Sequence, residues 1–461
     1  MAGDICYTSA RDLAELIRTR KISAREVMTA HLARINRFNP TLNAIVAKLD
    51  DDECLTLADE ADRKSVRGEA VGPLHGLPWA FKDLEDAVGF PNTSGSPIFK
   101  DRMPAADSPL VARLRTAGVV PIGKTNVPEF GMGSHTYNRV YGTTVNPYDV
   151  TMTAGGSSGG AGAALAAGLL PLADGSDLGG SLRNPANFNS VVALRPTSGL
   201  APVLSDGTSL GLNVKGPMAR SVDDVAFLLG VMTGQDVPPL QRSLKGIRVA
   251  WCPDLGGLPL EPPVRDVLDA SRNVFEHLGC IVAGACPDLT DADEVFLTMR
   301  RRRAFENLGS LLWSHRGQMK QEAIEEIERG GLVTGSDVTR ATGQHERLLA
   351  RVDAFFSVHD FLICAVNQVS PFDALLDWPH EIAGVPMEHY AAWMKSAYWI
   401  STTLCPAASV PAGFTPGRLP VGIQIVGRRG DDAGVLQMAY AFEQATGQGA
   451  ERKRPDVERK T

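Results

Sequence analysis

The sequence predicts an α/β fold built on a buried sheet, and three observations carry the prediction. Short apolar runs bounded by glycine and proline turns begin after Pro73 (LPWAF, VVPIG) and return near the C-terminus as VGIQIV. Such runs are continuous rather than alternating, which marks strands covered on both faces. They alternate with helical periodicities, and a chain that is 44% hydrophobic and 21% charged has the composition of a globular protein able to bury them.

Residues 1–65 read as helices. Ser9-x-x-Asp12 and Ser23-x-x-Glu26 are capping-box-like starts, and behind the second Val27, His31, Leu32, Ile35 and Phe38 approximate one apolar face. Residues 66–232 carry the strand-like runs and a glycine-serine loop, AGGSSGGAGAALAAG, from Ala154 to Gly168. Residues 159–173 are too short and too rich in Gly and Ala for a membrane span, end against Pro171, and read as a buried helix. TGQDVPPL, from Thr233 to Leu240, is an internal boundary. Residues 245–290 then offer a strand, IRVAW, and a helix whose Val264, Val267, Leu268, Val274, Phe275 and Leu278 share one face. Residues 291–400 form a variable, mostly helical and highly charged insertion, and residues 401–461 return to the sheet. One large domain, 1–461, with a helical insertion accounts for this order better than separate domains.

Several function classes are excluded. The net charge is −7 with both signs interspersed, so no footprint for nucleic acid exists. The run Arg300–Arg303 reads as a solvated helix face rather than a phosphate site. The N-terminus lacks a charged segment followed by an apolar one, so no secretory signal is expected. Seven cysteines form no CxxC, and Cys280 and Cys286 lack histidines at zinc spacing. Reduced, buried thiols in a cytoplasmic protein without metal are expected.

The glycine-serine loop admits three readings. A phosphate cradle needs GxxxxGK[ST] or GxGxxG, and neither is present. A nucleophile elbow, G-x-S-x-G, is matched by Gly156–Gly160 with Ser158 at its centre, but NPYDVTMT before it is polar rather than a buried strand. Six histidines follow it, too many to discriminate a triad. The third reading lies downstream in DGSDLGGSLRNPA, where Ser181 follows two glycines whose N–H groups no side chain shields, the requirement of an oxyanion hole. A serine there needs a base, and no histidine lies in either loop. Lys82 ends the apolar run Leu77–Phe81, where burial would favour a neutral amine. The plainer alternative is a Lys82–Asp83 pair at a solvated strand end.

Taken in order, LHGLPWAFKD, GGSSGG and GSDLGGSLRNPA resemble the amidase signature family of serine hydrolases. Lys82 and Ser157 are 75 residues apart, and Ser157 and Ser181 are 24 apart. IGKTNVPEFGMG, YGTTVNPYD, GPMARSVDD and LPVGIQIVGRRGDD extend the similarity over most of the chain. The resemblance implies a mixed, largely buried sheet with helices on both faces, and hydrolysis of a carbon–nitrogen acyl bond without cofactor. It implies that Ser181 is the acyl-enzyme nucleophile, Ser157, behind a cis peptide bond, the relay, and Lys82 the base. Leu178, Gly179, Gly180 and Ser181 would hold the oxyanion through backbone N–H groups, and Gly131 and Met132 would line the substrate cleft. A small amide, anilide or carbamate is the expected partner, with no nucleic acid, no membrane and room for a homodimer.

Three departures bear on substrate rather than mechanism: Ala154 where the family often has Pro, Ser176 where it commonly has Thr, and Asn189-Ser190 where many members have Cys-Gly. Two rivals remain. One is the glutamine-dependent amidotransferase chain that supplies ammonia to misacylated tRNA, from which HTYNRV and Asn189-Ser190 depart. The other is a non-catalytic binding protein on the same fold, which has no physical need for Lys82, Ser157 and Ser181 together. The insertion, with Phe372, Trp378, Met387, Trp393 and Met394 in its second half, is expected to set substrate choice, against the alternative that these side chains only pack a core.

Overall fold

The computed structural model describes residues 4–205, 209–447 and 454–457. Its centre is an eight-stranded mixed sheet, ordered Ile281–Gly284, Arg248–Trp251, Phe361–Ala365, Pro420–Gly427, Ala407–Phe414, Val192–Arg195, Val214–Ala219 and Leu172–Asp177. The first three strands pair in parallel and the remaining pairs are antiparallel. The two-residue side-chain period divides its faces. Phe361, Ile363 and Ala365 join a core completed by helices Val222–Thr233, Pro262–His277 and Asp432–Thr446. Leu362 and Cys364 join another, with Leu348, Val352 and Phe356 of helix Gly335–Val358. Helices therefore cover both faces of a sheet whose strands are nearly all buried.

A second sheet has three strands, in the order Ile45–Val46, Val120–Thr125 and Pro78–Lys82. The last two are parallel, and all five residues of Pro78–Lys82 are buried. Trp79 and Phe81 enter the core shared with the large sheet, whereas Ala80 packs with Ala163 and Ala164. Lys82, two residues beyond Ala80, is carried on the same face, toward the glycine-serine loop.

The N-terminal helices are Ala10–Arg18, Ala24–Leu42 and Asp51–Arg67. Ser9 caps the first by accepting from Asp12 N, and Ser23 and Glu26 complete a capping box on the second. The small-residue helix is shorter than the sequence alone indicates, because residues beyond Ala166 turn into strand Leu172–Asp177. It packs extremely closely: a Cβ on Gly160 would lie 2.3 Å from the backbone nitrogen of Asn126. NPYDVTMT runs from the end of one arm of a two-stranded hairpin, through its turn, into the other arm, Asp149–Thr153. No described helix is long and apolar enough to cross a membrane.

Two expectations need correction. Cys252 and Cys286 are joined in a disulfide across 34 residues of sequence, with Cα atoms 5.2 Å apart. Cys252 follows strand Arg248–Trp251 and Cys286 lies just beyond its parallel neighbour Ile281–Gly284, so strand pairing brings together cysteines that spacing could not match. Cys6, Cys54, Cys280, Cys364 and Cys405 are free and buried. The arginine run is not a solvated face either. Arg300 is buried, paired with Glu326 (Nε–Oε2 3.1 Å), and donates to Tyr390, because helix Gln321–Gly331 packs along this side of Ala292–His315.

Candidate active site

Strand Leu172–Asp177 lies at one edge of the large sheet, beside the lysine strand. Its alternation places Asp174 and Ser176 on one face and Asp177 on the other. Asp174 is fully enclosed and accepts from Trp79 Nε1 (3.1 Å) and from the backbone nitrogen of Lys82 (3.2 Å), tying the two sheets together. Burial, reinforced by nearby Glu85, raises its pKa to about 6.

Lys82 is buried, 1% exposed, and its side-chain nitrogen meets three hydroxyls: Ser157 Oγ at 2.9 Å, Ser158 Oγ at 2.8 Å and Ser176 Oγ at 2.9 Å. Desolvation outweighs the attraction of Asp174, Asp177 and Glu85 and lowers its pKa to about 7. The plainer expectation for this lysine does not hold: Asp83 faces Lys124 (3.6 Å) and accepts from Thr93, not from Lys82. The Gly156–Ser157 peptide bond is cis.

Ser157 and Ser181 both line a cavity of about 430 Å³, within the range of small-molecule sites. Its other walls include Gly131, Met132, Gly133, Leu178, Gly179, Leu84 and Phe130. Ser158, by contrast, is fully buried beneath Lys82 and off this wall. Its backbone nitrogen donates to Ser181 O (3.2 Å), fastening the two serine loops together. No histidine lines the cavity among the described residues. His135 instead bridges Thr153 and the Ala374 carbonyl, and burial lowers its pKa to about 4.

The Ser181 loop is pinned from behind by Asp177. That carboxylate accepts from Gly180 N (2.9 Å), Leu182 N (3.2 Å), Arg183 (2.8 and 3.0 Å) and Arg195 (3.2 Å), all buried. Burial alone would raise its pKa, but the two guanidiniums prevail and hold it well below the usual carboxylate range. One member of the expected oxyanion set is thereby corrected: the Gly180 N–H is committed to Asp177, and Gly180 is off the cavity wall. Leu178, Gly179 and Ser181 remain on it, and their N–H groups have no acceptor among the described residues.

Sequence reasoning missed the insertion's true contribution. Of Phe372, Trp378, Met387, Trp393 and Met394, only Met394 reaches the cavity; the five pack with Phe188, Phe296 and Tyr398 in a separate core. The insertion reaches the cavity chiefly through helix Ala292–His315, which supplies Arg300, Arg303, Ala304, Asn307 and Leu308. Their spacing of three to four residues along one helix face was the available signal.

A buried lysine ringed by hydroxyls, two of which line a cavity, is the equipment of an enzyme that moves protons. The chain belongs to the amidase family, whose profile matches residues 26–436, and as one of the amidase signature enzymes it is a hydrolase of amides. It is 35% identical to an acylamidase of Rhodococcus erythropolis, over 95% of each chain. It is 32% identical to a component of the glutamyl-tRNA(Gln) amidotransferase of Heliobacterium modesticaldum, over 98% of this chain and 99% of that one. Among solved structures it is similar to a bacterial aryl acylamidase of the amidase signature family. That match has a TM-score of 0.89 and 26% identity, covering 98% of this chain and all of the other.

Proposed function

We propose that this amidase cleaves a carbon–nitrogen acyl bond, in an amide, anilide or carbamate, through an acyl-enzyme on Ser181 with Ser157 as relay and Lys82 as base. The observation that carries the reading is the Lys82 amine, buried and within 2.9 Å of Ser157 Oγ, with Ser157 and Ser181 lining the same cavity. A neutral amine has two N–H bonds and one lone pair. With Ser158 and Ser176 accepting those N–H groups, the lone pair is left for the Ser157 hydroxyl. Ser157 passes its proton to Lys82 and takes that of Ser181, whose Oγ bonds to the substrate carbonyl carbon. The carbonyl oxygen gathers negative charge opposite the N–H groups of Leu178, Gly179 and Ser181, held in place before the reaction begins. The proton returns through Ser157 to the departing nitrogen, the C–N bond breaks, and water releases the acyl group by the same route.

The similarity to an acylamidase favours simple amides and anilides. The similarity to an amidotransferase component favours glutamine as ammonia donor within a complex. A panel of amides, anilides and carbamates, assayed on the purified chain with and without glutamine, separates the two. A serine-reactive fluorophosphonate should label Ser181, read by peptide mass spectrometry. Label on Ser158 with Ser181 unmodified would refute the assignment.

A further inference from the structure

One wall of the cavity, beside Leu84 and Ser157, is a loop held by a residue outside the cavity. A Cβ placed on Gly131 would sit 3.6 Å from Ser157 Oγ, so Gly131–Gly133 runs beside the reacting hydroxyls. Gly133 lines the cavity and has φ +90°, a conformation open to glycine but not to side-chain-bearing residues. Behind it lies Lys320, buried, at the N-terminus of helix Gln321–Gly331. Its ammonium donates to the Met132 carbonyl (2.6 Å) and sits 5.1 Å from the centre of the Tyr137 ring. Its backbone nitrogen donates to Glu129 Oε2 (2.7 Å), and Tyr137 in turn donates to Glu322 (2.5 Å) on the same helix.

In a trans peptide the C=O and the following N–H point in opposite directions. With the Met132 carbonyl turned outward onto Lys320, the Gly133 N–H is turned inward. It has no acceptor among the described residues. The geometry points to a substrate-binding donor: the Gly133 N–H, aimed by Lys320, takes a second hydrogen-bond acceptor of the substrate. Two residues of chain span at most about 7 Å, so that acceptor stands only a few bonds from the scissile carbonyl. This rests on the acyl-enzyme reading above and deepens it, naming amides with an ether, ester or carbonyl oxygen close to the reacting bond as the preferred class. Lys320 is a positioning residue, since it touches the loop and not the substrate.

The test uses two isosteric pairs, methoxyacetanilide against butyranilide and N-(2-methoxyethyl)acetamide against N-butylacetamide. Affinity is read as KM where turnover is measurable and as protection of Ser181 from the fluorophosphonate otherwise. In one pair, Lys320→Met should weaken the oxygen-bearing member about three- to tenfold relative to its alkyl partner, the worth of one hydrogen bond. The alkyl partner, which offers the Gly133 N–H no acceptor, should lose less, so the ratio within the pair is the readout. Lys320→Arg, which still reaches the Met132 carbonyl, should restore the difference, and the responding pair identifies the side of the bond. Equal loss for both members of both pairs, or no change at all, overturns the inference. A wild-type enzyme that takes no label at Ser181 speaks instead against the acyl-enzyme reading.

Discussion

Lys82→Ala should reduce acylation by about a thousandfold or more, near the upper end of what a positioned base contributes. Ser157→Ala should lose somewhat less, and the double variant should be little worse than Lys82→Ala alone, because residues that act as a unit do not lose activity additively. In the wild type, kcat/KM should rise with pH through an ionisation near 7, the value to which burial lowers this amine, rather than near the ordinary lysine value of about 10.4. Stability provides a control with its own sign. The folded protein gives up this proton near pH 7 while the unfolded chain holds it to about 10.4. Burying Lys82 therefore costs stability most below pH 7, and the cost fades as pH rises toward 10. Lys82→Met should fold at neutral pH at least as stably as the wild type. A folded Lys82→Ala that keeps most of its activity would place the base elsewhere.

Asp177→Asn should be the most damaging single change among those that touch neither Lys82 nor a serine. It leaves the buried guanidiniums of Arg183 and Arg195 without their counter-charge, and breaking a buried ion pair of this kind costs about 3–5 kcal/mol. It also weakens the grip on the Gly180 and Leu182 N–H groups that flank Ser181, so activity should fall even well below the melting temperature. Because its pKa is depressed in the folded state, the stabilisation from Asp177 is present above the unfolded value of about 3.9 and is lost as pH falls toward the lower folded value. Urea titrations at pH 7 and pH 3 should show the variant's deficit shrinking at the lower pH. An unchanged midpoint at pH 7 would show that the cluster is not holding the loop.

The residues differ in how far sequence could reveal them. Lys82 was visible as the end of a continuous apolar run, but that position alone left a solvated pair with Asp83 open, and only the family resemblance marked it as a base. Ser181 was visible from the paired glycines before it, whereas Ser157 was told apart from its neighbour Ser158 only by the family resemblance. Ser176 was not singled out as a partner of Lys82, although it shares a strand face with Asp174 by simple alternation. Arg300 was misread because the exposure of a charged run is decided by what packs over it, and Glu326 and Tyr390 lie 26 and 90 residues away. The Cys252–Cys286 pairing and the helix face that walls the cavity were hidden for the same reason: both depend on contacts between distant elements. The fold class, resting on local periodicity, required no such knowledge.

Lys82, the proposed base, rides on the small sheet and the Ser181 loop leaves the edge of the large one, with Asp174 as the clasp between them. Turnover is therefore a gauge of one particular docking event. A species in which the two sheets part while each keeps its strands would retain most of its far-ultraviolet circular dichroism and be inert. In a denaturant series, activity should disappear at or before the loss of secondary structure, and never after it. Asp174→Ala, which unfastens the clasp while leaving every proposed proton carrier in place, should widen the gap between the two curves.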